Sequence, residues 1–206
     1  MDGSRETVQM NHPVAEEAAS STVELFEQIG TDTPGTACFA PVLERWLALS
    51  KEANSEGAGA IPRDQAFWLD SWPEFAGRIS IVDPVDDGQD FRYAIYAGAI
   101  VHAGGVDMTG RLVSEFPYPD FRDAVLQSHR NAIEKQTPEI WRFRHVWRGA
   151  TYDYCTLYLP VRRAHDGSIR LHTIIVNTDP ERRRLYSARF ATGSAVLAPE
   201  DLLQQR

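Results

Sequence analysis

The sequence predicts an α+β domain: a five-stranded antiparallel sheet with helices on one face, preceded by N-terminal helices. Three observations lead there. First, two stretches with strand-like alternation, Arg78 to Pro84 and Phe91 to Ala103, lie close together around the turn Asp83-Pro84-Val85-Asp86-Asp87-Gly88. Second, a stripe of Phe121, Val125, His129 and Ala132 marks an amphipathic helix from Asp120 to Gln136, which Pro138 stops. Third, Ile140 to Arg148, Tyr152 to Arg163 and Ile169 to Val176 read as strands joined by Gly149-Ala150 and the hairpin signal Asp166-Gly167. Two strands, a helical connector and a three-strand meander give a sheet with helices packed against it.

Upstream of the sheet the pattern is helical. Residues 1–20 are polar, and Val23, Leu25, Phe26 and Ile29 form a short apolar stripe at helical spacing. Phe39, Val42, Leu43, Trp46, Leu47 and Leu49 predict a longer helix from Phe39 to Glu52, and a further one runs from Ile61 to Trp72 before Pro73. This divides the chain into a partly helical leader over 1–38, flanking helices over 39–76, the core over 77–178 and a charged tail over 179–206. Within the meander, Trp141, Phe143, His145 and Trp147 share one face of their strand, and Arg142, Arg144 and Arg148 share the other.

Composition narrows the function. Nine Phe, seven Tyr and five Trp in 206 residues are enough for a genuine core. A formal charge of −8 argues against nucleic acid and anionic membranes as partners, since both favour basic surfaces. Cys38 and Cys155 lie far apart, which fits a reducing compartment without a disulfide framework. With no apolar h-region and no run long enough for a membrane span, the sequence is expected to be cytoplasmic.

The stretch Gly104-Gly105-Val106-Asp107-Met108-Thr109-Gly110-Arg111 turns sharply, with Asp107 and Thr109 placed to bond local backbone. Leu112, Val113 and Phe116 follow at the spacing of one helical turn. Phe91-Arg92-Tyr93, Gly98 and Ile100, then Gly105, Asp107, Thr109, Gly110, Arg111 and Glu115, resemble a proteobacterial branch of the PAS superfamily with the pattern FRYRxxGxxI…GxDxTGRxxxE. The resemblance extends more loosely from Phe39 to Asn177. It implies a stand-alone sensory or regulatory domain in signal transduction, not an enzyme, binding a small molecule or a signalling protein. It further implies helices that flank the core and often form a homodimer.

Candidate chemistry is sparse. Nucleophile-elbow, HExxH and phosphate-loop motifs are missing from the sequence. Asp83, Asp86, Asp87 and Asp90 cluster without EF-hand spacing and read as a solvated turn. Arg142, Arg144, Arg148, Arg162, Arg163 and Arg170, interleaved with Tyr152, Tyr154 and Tyr158, read either as an exposed face neutralised by acids or as a partner surface. The expected ligand space lies between sheet and helices, lined by Phe91, Tyr93, Ile95, Val125, His129, Trp141, Phe143 and Tyr154. Asp107, Thr109 and Arg111 are expected to hold the fold. No cofactor is expected from the residues; the resemblance leaves haem on His129 as an alternative, against a buried neutral histidine satisfied by one bond. A flavin photosensor would need a cysteine on the connector, where none occurs.

Overall fold

The computed structural model describes residues 21–55, 57, 60–66, 72–102, 106–147 and 149–178. It is an α+β fold around a six-stranded antiparallel sheet. The strands are β1 (Ser21–Ile29), β2 (Ile79–Val85), β3 (Asp90–Ile95), β4 (Glu139–Trp147), β5 (Ala150–Arg162) and β6 (Ile169–Asn177), in the spatial order β1-β4-β5-β6-β2-β3. The helices are α1 (Ala40–Ser55), α2 (Gly98–His102) and α3 (Pro119–Lys135).

The expected order of two strands, helical connector and meander is present, and β2 pairs with β6 to join the two halves. The sixth strand corrects the helical reading of residues 22–29. Val23 pairs with His145 and Leu25 with Arg144, so Glu24 is an extra residue in a β-bulge. Beyond the bulge Phe26 faces the same way as Val23. An i, i+3 apolar spacing here comes from a kinked strand, and Phe26 stacks on Trp141 with ring centroids 4.4 Å apart.

Helices cover both faces of the sheet, not one. On the first face, α2, α3 and the connector pack over Val82, Tyr93, Phe143, Tyr158 and Leu171. On the second, Phe39, Val42, Trp46 and Leu49 pack against Leu157, Leu159, Val161 and Ile174. The expected stripe of α1 is thus taken up by its own sheet, apart from Leu47, which is 50% exposed. Strand β5 runs past its last β4 partner at Tyr158. Pro160 lies in that overhang, where its missing N–H breaks no ladder bond with β4. Its carbonyl accepts from Trp46 Nε1–H at 2.8 Å, and the Arg162 N–H donates to Pro62 O at 2.7 Å.

Two other expectations are corrected. The strand expected over 91–103 stops at Ile95, because the Tyr96 N–H goes to Thr109 Oγ1 and the Ala97 N–H to Ser80 Oγ. Side chains take the donors that would extend the ladder, and α2 begins at Gly98. Of the helix expected from Ile61 to Trp72, the described part holds a 3-10 turn at Asp64–Ala66, with Arg63 bridged to Arg162; residues 67–71, which carry the rest of it, lie outside the described residues. Helix α3 matches expectation within a residue. Pro119 opens it, Asp120 sits in its first turn, and Gln136 closes it in the left-handed region with its N–H on Ala132 O.

The connector closes the edge of β3. Asp107 Oδ1 accepts from the Thr109 N–H at 2.9 Å, and Gly110 takes φ +80°. The Gly110 N–H then donates to Tyr93 O at 2.7 Å, and the Tyr93 N–H to Arg111 O at 3.0 Å. Glu115 Oε1 accepts from the Leu112 N–H, closing the turn at Val113–Glu115, and Arg111 lies 4.0 Å from Glu115. Gly105 lies outside the described residues. A Cβ at Gly110 would meet nothing within 4 Å, so Gly110→Ala isolates backbone strain. It should lower the unfolding free energy by about 1–2 kcal/mol. Gly98→Ala, with equally open surroundings and no left-handed φ, should leave it unchanged or raise it. Urea denaturation of both variants checks this; equal midpoints would remove the left-handed turn as a constraint.

Candidate functional site

The first face of the sheet is not fully packed. Between it and α2, α3 and the connector lies a cavity of about 190 Å³. Its roof and ends are apolar, supplied by Ile100 of α2, Phe121 and Val125 of α3, and Phe116 and Val106 of the connector. Its floor is the middle of the sheet and is more polar. Cross-strand neighbours Tyr158 and Thr173, Thr156 and Ile175, Tyr154 and Asn177 all point this way, joined by Ser80 and Arg78.

Of the expected lining residues, the structure brings Tyr93, Val125, His129, Phe143 and Tyr154 together on the cavity. Phe91 is fully buried behind it, its ring 5.0 Å from that of His129. Trp141 is covered by Phe26. Ile95 is 46% exposed and points away. The reason is a second bulge: Ile81 pairs with Ile95 but Val82 with Tyr93, so Ala94 is extra. The inward position passes to Tyr96, which sequence parity had placed opposite. Tyr158, Thr156, Phe116 and Phe121 were also missed. Alternation along β5 could have added Thr156 and Tyr158 to Tyr154; nothing local marks the two phenylalanines.

His129 is 2% exposed. Its Nδ1 lies 2.6 Å from Val125 O, one turn back, so Nδ1 carries the proton and Nε2 the lone pair. Nε2 is buried without a hydrogen-bond partner. Burial pushes this imidazole down to about 4, only partly offset by the Val125 carbonyl and the Asp90 charge. His145 also titrates below its usual range through burial, and it shares a 2.6 Å hydrogen bond with Ser21. Burial raises the phenols of Tyr93, Tyr96, Tyr154 and Tyr158, and neighbouring tyrosines add to the rise in Tyr93 and Tyr154. His129, His145 and these four phenols are therefore neutral around pH 7.

The geometry does not fit haem. A cavity of roughly 150 Å³ accommodates benzene, and 190 Å³ falls far short of four linked pyrroles. The His129 ring is moreover packed among those of Phe91, Tyr93 and Tyr158, with centroids 5.0 to 6.1 Å apart, and its Nε2 is buried.

Four arginines of the expected surface, Arg142, Arg144, Arg163 and Arg170, form ion pairs, while Arg162 donates to Gly167 O. Asp153 accepts from Arg142 at 2.9 and 3.0 Å and from Arg144 at 2.8 Å. Partial burial works against ionisation of Asp153, but these two arginines together outweigh it and hold the carboxyl below its usual range. Arg170 pairs with Asp83, and Arg163 lies 3.5 Å from the same carboxylate. Asp90 meanwhile accepts the Phe91 and Ser114 N–H groups, so the four-acid cluster does not converge on one point. Tyr154 and Tyr158 face the cavity, opposite Arg142 and Arg144, not among them. Arg148 lies outside the described residues. No group of acids, histidines and cysteines suited to a metal ion occurs among the described residues, nor a helix long and apolar enough to cross a membrane.

The fold and site together define a class: an α+β domain whose antiparallel sheet carries an aromatic-lined cavity under a helical connector. No family model matches the chain, and comparisons with curated proteins and solved structures likewise give no match.

Burial of neutral histidines has a consequence for pH. His172, on the second face, is also pushed down to about 4, by burial and then by Arg170. Between pH 6.5 and about 4 the unfolded chain takes up protons that folded His129 and His172 refuse. Stability should therefore be complete above pH 6.5 and fall with pH through that window, by up to ~1.4 kcal/mol per pH unit for each histidine. Urea unfolding at pH 7, 6 and 5 measures the slope. His129→Gln should flatten it by about one proton; an unchanged slope would mean His129 is protonated in the fold.

Proposed function

We propose that this chain is a PAS-like sensory or regulatory domain that binds a small molecule in the cavity under α3 and acts by binding, not catalysis. The observation that carries the reading is the cavity itself. Well-packed interiors hold few voids larger than a water molecule, yet here a space of about 190 Å³ is walled by Tyr93, Tyr96, Phe116, Phe143 and Tyr154. Two further features support a PAS-like branch: the strand order around a helical connector, and the Asp107-to-Glu115 turn stitched to the β3 edge.

Occupancy would act on the elements that roof the cavity. Ile100 of α2 and Val106 beyond it belong to the connector, and Val125 to α3. A ligand that binds one placement of these elements better than another shifts the population toward it, by no more than its differential affinity. The signal would then pass to a separate partner through the outer surface of α2 and the connector.

Native mass spectrometry beside denatured mass tests this. The expected result is an added mass on the folded chain that disappears on denaturation, and that is absent from Val125→Phe, which fills the cavity. A variant with a filled cavity that still carries the added mass would place the ligand elsewhere. A bare chain that also fails to bind any small aromatic compound would remove the reading.

A further inference from the structure

We infer that filling the cavity and closing the β3 edge are one coupled event, because residues whose rings wall the cavity are also the ones whose main chain holds the connector on the sheet. This inference deepens the binding reading, since it names what occupancy would move. Three bonds carry it. The Tyr93 N–H donates to Arg111 O at 3.0 Å, and the Gly110 N–H to Tyr93 O at 2.7 Å. The Tyr96 N–H donates to Thr109 Oγ1 at 3.2 Å. Tyr93 and Tyr96 both line the cavity, as does Phe116 at the end of the same connector.

Those three rings also touch one another. Tyr93 meets Tyr96 edge to face at 4.8 Å and Phe116 at 6.1 Å, and Tyr96 lies 6.3 Å from Phe116. Close-packed rings in mutual contact move together, since a packed interior has discrete arrangements and does not deform continuously. An occupant against them braces all three, and through the main chain of Tyr93 and Tyr96 it braces the bonds to residues 109–111. Those bonds are the weak part of the connector. Thr109, Gly110 and Arg111 are exposed, whereas Met108 and Val113 on either side are fully buried. Exposed backbone bonds with few apolar contacts open before the core does. On the solvent side the turn is held by Arg92 Nη1 on Gly110 O and by the Ser114 N–H on Asp90 Oδ1, both at exposed positions. Opening therefore swings residues 109–111 between two buried anchors and frees both backbone groups of Tyr93 at the edge of the sheet. Occupancy and edge closure share one coupling free energy, so each favours the other equally.

The experiment is native-state amide hydrogen exchange on the full chain, Val125→Phe and Thr109→Val, each freed of bound small molecules by unfolding and refolding. Val125 belongs to α3 and lines the cavity, so its enlargement fills the space without touching the three bonds. Exchange is read at the Tyr93, Tyr96 and Gly110 N–H groups relative to the Phe39 N–H, which bonds Thr36 O on the second face. Val125→Phe should slow all three by one common factor of about tenfold. Thr109→Val removes only the acceptor of the Tyr96 N–H among them, yet it should speed all three by about fivefold. Where thermal unfolding shows Val125→Phe to be misfolded, Val125→Leu takes its place. Unchanged exchange at the three amides in the filled cavity, or a loss confined to Tyr96 in Thr109→Val, would overturn the inference. A common shift in a chain that carries no added mass would keep the coupling and remove the binding reading; added mass with independent amides would do the reverse.

Discussion

The rest of the structure depends on how the connector is tied to Tyr93. An edge strand offers a row of unpaired backbone groups, and β3 is the outermost strand on its side of the sheet. Here the Gly110 N–H and the Arg111 carbonyl take both backbone groups of Tyr93. That pairing is reachable only because Gly110 adopts a left-handed φ, which costs glycine little and any other residue more. Arg92 Nη1 donates to Gly110 O at 2.9 Å on the outer side, while the Tyr93 ring turns inward to the cavity. One residue thus closes the sheet edge with its backbone and lines the site with its side chain. Displacing the turn would open both.

The two faces of the sheet solve different problems. The second is aliphatic where α1 covers it: Leu157, Leu159, Val161, Ile174 and Val176 meet Val42, Trp46 and Leu49. Branched side chains of this kind interdigitate to high density. The first face is aromatic, with rings meeting at steep angles, as between Tyr93 and Phe116 or Phe116 and Phe121. Rigid rings in edge-to-face contact leave gaps that aliphatic chains would fill, and the cavity lies among them. Burial there keeps His129 and the phenols of Tyr93, Tyr96, Tyr154 and Tyr158 neutral around pH 7.

Charge is handled at the margins. The Asp153 pair with Arg142 and Arg144 and the Asp83 pair with Arg170 and Arg163 lie partly exposed on the sheet, where ion pairs contribute modestly to stability. Their effect is to neutralise Arg142, Arg144, Arg163 and Arg170 on that surface, in line with a chain of net charge −8.

Much of this was legible in the residues. Alternation placed β4, β5 and β6 within three residues at either end, because a half-buried strand must repeat every second residue. The stripe of α3 and the turn at Asp107 to Glu115 were legible for the same local reason: periodicity and turn chemistry are properties of neighbours in the chain. What only the tertiary structure decided is where that periodicity breaks. The extra residues Glu24 and Ala94 each invert the faces of a strand, which turned an apparent helix into β1 and put Tyr96 in the cavity instead of Ile95. Nor does an apolar stripe state which surface it will cover, so α1 was legible as a helix but its seat on the second face was not. Both choices are made by contacts between segments far apart in the chain, His145 with Val23 and Pro160 with Trp46 among them.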